Sequence, residues 1–305
     1  MNPTEPVETN TQNATLIERL IFTNADLESP VDLNISLMTV IKLNPLQWVN
    51  IDITPRKMKI TNTGYTVILS ATWVTDRPYL TDGPFTAKYV LSQIHFHWGE
   101  NDMNGSEHTV DGASMPMECH AVHYKSNYET LELALKRTDG VVIVVYLCKN
   151  KPNEFIHQIV KNFPTIRAAN SSVRLVPMNL TNILRPFTED YFLYRGSIVT
   201  STNIHKIMWV ISREPVGVSI EQSKQTMYNV QLLAQVAAFR TLMNERGMPI
   251  LSNVRIVQEA KHSSIFHVCP SGSTYASLLP LPWHSWSSTK DGNSPNTVHA
   301  SIENT

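Results

Sequence analysis

Cysteine is scarce in this chain, with only Cys119, Cys148 and Cys269 among 305 residues. An odd and small set does not make the disulfide framework on which small secreted domains rely, and it points to a reducing compartment. Charge is also thin: charged residues make up 17%, and Lys+Arg (25) nearly balance Asp+Glu (26). With less than the usual quarter of charged residues and no excess of either sign, no net field recruits nucleic acid or anionic lipid. Long apolar runs are missing too. The longest, Val141 to Cys148, is far short of the ~20 residues that span a bilayer. The first twenty residues lack the basic start and apolar stretch of an ordinary secretory signal. These absences set the expectations: cytoplasmic, no nucleic-acid partner, no membrane span. Five Asn-x-Ser/Thr sequons, beginning at Asn13, Asn34, Asn104, Asn170 and Asn179, keep a secreted protein with a trimmed leader as the alternative.

What the chain does have is enough apolar material, 42%, for one large domain or two small ones with a substantial core. Residues 1–28 are polar and read as a flexible arm, with one short helix near Thr15 to Ile21. Residues 29–266 have globular texture. Within them, runs rich in Val, Ile, Thr and aromatics alternate with Asn, Gly, Asp and Pro: Gly64 to Trp73, Tyr89 to Trp98, Met117 to Tyr124, Val141 to Leu147 and Lys206 to Ser212. These segments are expected to be strands. Helical spacing is clear only over Tyr128 to Lys136 and Ser219 to Asn244. The expected fold is therefore mostly β, a single sheet-dominated domain with peripheral helices. No internal repeat is present. Residues 267–305 form a Ser/Pro-rich tail whose one apolar element, Leu278 to Trp286, could dock on the domain or on a protein partner.

Eleven histidines matter only if some are placed together. In the run from Ser92 to Gly99, a strand puts Gln93, His95 and His97 on one face, because side chains alternate with period two. A second strand from Met117 to His123 puts Glu118, His120 and Val122 on one face. Were the two strands neighbours, three neutral imidazoles would converge, the ligand set of a catalytic zinc site that keeps its fourth position open. Gln93 and Glu118, each two residues from a histidine on the same face, would be placed to fix ring tautomers. The competing reading is that histidines on strands are ordinary hydrogen-bonded core or surface residues, and His-x-His alone does not name a metal.

The surrounding text resembles the α-carbonic anhydrases. The matching pieces are SPVDL (29–33), NTGYTV (62–67), QIHFHWGEND (93–102), GSEHTVDG (105–112), ECHAVHY (118–124), DG before an apolar strand (from 139), YRGSIVTS (194–201), MWVISREPV (208–216), AFRTL (238–242) and NVR (253–255). They keep the family order across residues 29–266. The resemblance implies a large twisted, mainly antiparallel sheet with a zinc ion at the bottom of a conical cleft. It implies His95, His97 and His120 as ligands, with Gln93 beside His95, Glu118 beside His120 and the Asn253 backbone carbonyl beside His97. Val122, Ile143, Ile198 and Trp209 match the apolar substrate slot for carbon dioxide, slightly narrowed by the two isoleucines. The activity implied is zinc-dependent reversible hydration of carbon dioxide to bicarbonate and a proton, a lyase reaction of the carbonate dehydratase type.

Three departures qualify this expectation. In the family a Thr hydroxyl links the nucleophile to a buried Glu; here the Glu is Glu107, but Val199 stands at the Thr position, so Glu107 is expected to keep an open lone pair and the rate to fall. Thr200 matches a second Thr that helps seat bicarbonate. Tyr65 stands where fast members carry a proton-ferrying His, and since a phenol has an ordinary pKa near 10, turnover is expected to depend on buffer. The family's aromatic N-terminal segment is also missing. Low-efficiency catalysis is the leading expectation. The alternatives are a catalytically weak or silent binding module acting through its surface or Trp-bearing tail, and slow ester hydrolysis.

Overall fold

The structure, a computed structural model, describes residues 27–188, 190–200, 203–218, 235–260 and 264–269. The expected helix near Thr15 to Ile21 and the apolar stretch Leu278 to Trp286 lie outside the described residues. The strands are β1 (Asp32–Leu33), β2 (Thr39–Ile41), β3 (Leu46–Val49), β4 (Lys57–Asn62), β5 (Val67–Thr72), β6 (Tyr79–Asp82), β7 (Phe85–Trp98), β8 (Thr109–Val110), β9 (Met117–Lys125), β10 (Val141–Asn150), β11 (Ser171–Leu175), β12 (Tyr191–Val199), β13 (Ile204–Ser212), β14 (Val216–Val218) and β15 (Ile265–Val268). Three short α-helices are described: α1 (Leu131–Leu135), α2 (Glu154–Val160) and α3 (Gln235–Phe239). Each segment expected to be a strand contains one or lies within one, and the mostly β, peripherally helical expectation holds.

Thirteen of these strands form one sheet, whose main path is β11-β4-β5-β7-β9-β10-β13-β12-β15-β2. Its pairings are antiparallel except β10 with β13, β10 with β14 and β15 with β2. The Val141 to Cys148 run sits at the centre because it is apolar on both faces, the pattern of a strand covered on both sides. Alternation divides it between two cores: Val142, Val144, Tyr146 and Cys148 join one cluster, and Val141, Ile143, Val145 and Leu147 the other. The same division governs the neighbours. Ile94, Phe96 and Trp98 of β7, with Met117, Cys119 and Ala121 of β9, face the larger cluster, so the residues between them face the opposite way. Cys119, Cys148 and Cys269 are buried free thiols.

The helices are short and locally capped. The Thr130 side chain accepts from the Leu133 N–H at the start of α1, and Asn153 accepts from Phe155 and Ile156 at the start of α2. The helix expected over Ser219 to Asn244 is described only as α3; residues 219–234 lie outside the described set. After Phe239 the chain leaves the helix. The Thr241 hydroxyl donates to the Ala238 carbonyl at 2.7 Å, and Arg240 reaches the Gly99 carbonyl and Asp102, contacts that side-chain spacing does not reveal.

The ends of the ordered sheet differ slightly from the sequence reading. Leu27, assigned to the arm, is buried and its N–H donates to the Arg195 carbonyl at 3.1 Å. His267 and Val268, assigned to the tail, belong to β15, where His267 Nε2 lies 2.7 Å from Asp190 Oδ1.

Candidate metal centre

The register of two central strands assembles the site. β7 and β9 pair so that His95 lies directly opposite His120, and His97 opposite Glu118. Ring centroids are 5.0 Å apart for His95 and His120, 5.2 Å for His95 and His97, and 4.5 Å for His97 and His120. One nitrogen from each ring lies within 4.8 Å of the other two.

The outward-facing nitrogens of His97 and His120 are already engaged. His97 Nδ1 donates to the Asn253 carbonyl at 3.1 Å, so the neutral ring keeps its lone pair on Nε2, which is buried without a hydrogen-bond partner. His120 Nε2 donates to Glu118 Oε1 at 2.6 Å, leaving a lone pair on Nδ1, which lies 3.2 Å from His95 Nε2. Burial, followed by the neighbouring histidines, lowers the His95 pKa well below its ordinary value; burial and His97 bring His120 to about 4. Both rings are therefore neutral at pH 7, the form that binds metals. Three convergent imidazoles with a buried, unpartnered nitrogen among them fit a zinc ion of the three-histidine type.

Glu118 anchors this arrangement from behind. Its Oε1 also accepts from His108 Nδ1 at 2.7 Å, and its Oε2 accepts from the His108 backbone N–H at 2.7 Å. His108 Nε2 is in turn 2.7 Å from the Tyr194 hydroxyl, which lies 3.1 Å from Ser29 Oγ. Sequence reasoning missed His108 as a member of the site. It sits in a loop before a two-residue strand, where no periodicity assigns it a face; its only signal was its place inside GSEHTVDG. The loop is tight: a side chain on Gly105 would run into the Pro116 carbonyl.

Two expectations need correction. Gln93 Oε1 is buried with no hydrogen-bond partner, so the expected contact with His95 is not made; β7 shifts register against β9 between Leu91 and Gln93, and such an irregularity re-aims side chains. Glu107 does not carry an open carboxylate. Arg255 grips it through Nε to Oε1 at 2.8 Å and Nη2 to Oε2 at 2.6 Å, with the Arg255 backbone N–H adding a third bond to Oε1 at 3.1 Å. Burial alone would raise this carboxyl, but His97, at 3.4 Å, and Arg255 outweigh it and hold it at about 2. Arg255 was visible only as the last letter of NVR.

The other anticipated residues are distributed as follows. Val122, Ile143 and Trp209 are buried together in the smaller core, with Ile198 packed against them, and the Trp209 ring lies 5.2 Å from that of His120. Tyr65 is 71% exposed, its carbonyl accepting from Asn253 Nδ2 at 3.1 Å. Val199 ends β12, is 64% exposed and lines a surface groove of about 630 Å³ with Arg255, Ile204 and Ile256. Thr200 is exposed, with its hydroxyl 3.1 Å from His205 Nε2.

Fold and site together define a sheet-borne, three-imidazole centre beside buried apolar residues. The family model for the eukaryotic-type carbonic anhydrase matches residues 20–269. Pig "Carbonic anhydrase 3" is 33% identical over 187 residues, covering 61% of this chain and 68% of the relative. "Carbonic anhydrase 1" of Monodelphis domestica is 29% identical over 245 residues, covering 78% and 87%. Human "Carbonic anhydrase 5B, mitochondrial" is 29% identical over 213 residues, covering 69% and 67%. The chain belongs to the eukaryotic-type carbonic anhydrase family. No helix among the described residues is long and apolar enough to cross a membrane.

Proposed function

We propose that this chain binds one zinc ion through His95, His97 and His120 and catalyses the reversible hydration of carbon dioxide to bicarbonate and a proton, as a carbonate dehydratase of low efficiency. The observation that carries this reading is the buried, unpartnered Nε2 of His97 beside the rings of His95 and His120, the tautomer of His120 being set by Glu118 so that its Nδ1 keeps a lone pair. A buried nitrogen without a partner costs ~1–3 kcal/mol, a cost that a metal removes. The chemistry such an ion supplies is Lewis acidity, which makes hydroxide available near neutral pH.

The chain's own residues supply the rest. Asn253 and Glu118 hold the rings of His97 and His120 in their ligand tautomers. Val122, Ile143, Ile198 and Trp209 pack as apolar residues beside His120 and would be the walls for a small substrate without a net dipole, retained by shape and by exclusion of water. Glu107 stays ionised in the grip of Arg255. Val199 offers no hydroxyl to orient the nucleophile, and oriented groups of that kind are typically worth ~2.7–4 kcal/mol in a transition state; hence the low efficiency. Thr200 is the candidate for seating bicarbonate. The three buried free thiols support a reducing, cytoplasmic setting.

A second reading, a catalytically weak or silent binding module, is favoured by one observation: Val199 is exposed in an apolar groove, while Glu107 is held by Arg255. Stopped-flow hydration of carbon dioxide by protein of measured zinc content separates the two. Zinc-dependent turnover above the buffer rate supports the enzyme. Zinc-loaded, folded protein with no turnover supports the module.

A further inference from the structure

The surface groove of about 630 Å³ that Val199 lines is built from three stretches of chain. The hairpin of β12 and β13 supplies Val199 and Ile204, which pair directly across it. The segment after Asn253 supplies Arg255 and Ile256, and Leu27 completes the lining. The stretch from Leu27 to Pro30 is tied to both walls: the Leu27 N–H donates to the Arg195 carbonyl at 3.1 Å, the Ser197 N–H donates to Ser29 Oγ at 3.1 Å, and the Gln258 N–H donates to the Pro30 carbonyl at 2.8 Å. Val199, Ile204 and Ile256 are 64%, 71% and 83% exposed. Large apolar side chains gathered in one concave site of this size mark a surface that something covers.

Where the chain enters decides what that is. Because Leu27 lines the groove, the 26 residues before it start from the groove itself. Their apolar side chains concentrate in Leu16, Ile17, Leu20, Ile21 and Phe22, whose four-residue steps are those of one helical face. The charges within this segment, Glu18 and Arg19, have opposite numbers in the lining of the groove, Lys206 and Glu28. Phe22 is five residues from Leu27, at most ~18 Å when extended, and a tether this short holds the segment at roughly millimolar effective concentration. The other apolar stretch beyond the domain, Leu278 to Trp286, is badly placed. The chain leaves at Cys269, whose N–H donates to the Ile41 carbonyl, and β15 runs antiparallel to β12 with Ile265 opposite Tyr194. Val199 therefore lies nine strand residues from Cys269, about 30 Å at ~3.3 Å per residue, a distance that the chain from Cys269 to Leu278 covers only when fully extended.

We propose that residues 16–22 of this chain dock in the groove, with Leu20, Ile21 and Phe22 covering Val199, Ile204 and Ile256. The docked segment also shields the outer side of the Arg255–Glu107 pair. The Arg255 side chain is partly exposed at the groove, and Glu107 lies 3.4 Å from His97 Nδ1 at the inner end. Excluding water from an ion pair strengthens it, so the segment acts on the surroundings of the metal centre without touching a ligand. The inference is independent of whether the chain hydrates carbon dioxide.

The test is hydrogen–deuterium exchange of the full chain, followed peptide by peptide. In the parent, amides of residues 16–22 should exchange about tenfold or more slowly than in a free peptide of the same sequence, a local stability of about 1.4 kcal/mol. Ile204→Asp and Ile256→Asp each place a carboxylate on one wall of the groove and should return the segment to the free-peptide rate. The central strands β9 and β10 should keep parental protection in both, which reports an intact fold; should one variant lose it, the other decides. Free-peptide exchange of residues 16–22 in the parent would overturn the proposal and leave the groove to a partner. Protection that survives both substitutions would overturn it by placing the segment elsewhere, and protection that vanishes on dilution would do so by making the occupant a second copy. Slow exchange over residues 278–286 instead, abolished by the same substitutions, would overturn it in favour of the C-terminal tail.

Discussion

Glu118→Gln is the most informative single change to the centre, because the structure specifies what the carboxylate does. Its Oε1 accepts two donors, His120 Nε2 and His108 Nδ1, and its Oε2 accepts the His108 backbone N–H. An amide cannot reproduce this. With its oxygen in the Oε1 position, its NH2 group faces the His108 N–H donor; with the amide flipped, two ring donors lose their acceptor. At least one buried donor is left unpaired, at a cost of ~1–3 kcal/mol. In a chain of this size each kcal/mol moves the melting temperature by roughly 2–4 °C. The metal-free variant should therefore melt roughly 2–12 °C below the parent. Because Glu118 also fixes the tautomer of His120, zinc affinity should fall by about 10–100-fold, about 1.4–2.7 kcal/mol. A competition titration against a chromophoric chelator measures that change directly, and calorimetry of metal-free protein measures the melting shift. Parental zinc affinity in the variant would refute the assignment of His120 as a ligand oriented by Glu118.

The remaining predictions use the same geometry. Protein purified without chelator should hold close to one zinc per chain by elemental analysis, and His97→Asn should remove most of it; metal-free parent protein would refute the centre and the activity together. Metal-free protein should lose stability in acid: burial lowers the buried His123 to about 4, so its contribution is full above the unfolded value near 6.5 and is lost as pH falls toward 4. Glu118 acts in the same direction at lower pH, its carboxyl held well below the ordinary range by His108 and His120 against the cost of burial. A melting temperature of metal-free protein that stays constant between pH 7 and pH 4 would contradict the His123 assignment, and one that stays constant below pH 4 would contradict that of Glu118. Val199→Thr should raise hydration by about 10²-fold or more by restoring an orienting group linked to Glu107, ~2.7–4 kcal/mol in the transition state. The gain should vanish when combined with Glu107→Gln, and no gain from the single change in zinc-loaded protein would show that residue 199 belongs to the outer groove and not to the cleft.

Period-two alternation made the heart of the site legible. It places Gln93, His95 and His97 on one face and Glu118 and His120 on one face, and the pairing of β7 with β9 makes the two faces the same one. Alternation also explains the central Val141 to Cys148 run, whose residues serve two cores in turn. Loop residues follow no such rule. His108 and Arg255 reach the centre from irregular segments, and nothing in their local spacing states which way they point. Gln93 shows the limit of alternation within a strand, since a register shift beside it separates being on the right face from making the contact. Helical periodicity over Ser219 to Asn244 overstated the described helix at its C-terminal end, because side chains such as Thr241 and Arg240 bind carbonyls near the point where α3 stops.

Arg255 bears on how much the loss of the Thr hydroxyl at position 199 disturbs the fold. A buried carboxylate deprived of a donor would be costly, and Val199 alone would leave Glu107 in that position. The guanidinium fork and backbone N–H of Arg255 supply three donors instead, so the hydroxyl can be absent without an unpaired charge in the core. The side chain of Arg255 is itself 32% exposed, so the pair reaches from His97 toward the groove that Val199 lines. Structural integrity and catalytic power are thereby uncoupled at this position: a folded, zinc-loaded centre does not require an oriented nucleophile. A low hydration rate would consequently reflect the chemistry of residue 199 and not a damaged site. On this reasoning Val199→Thr should change the rate while leaving zinc affinity unaltered.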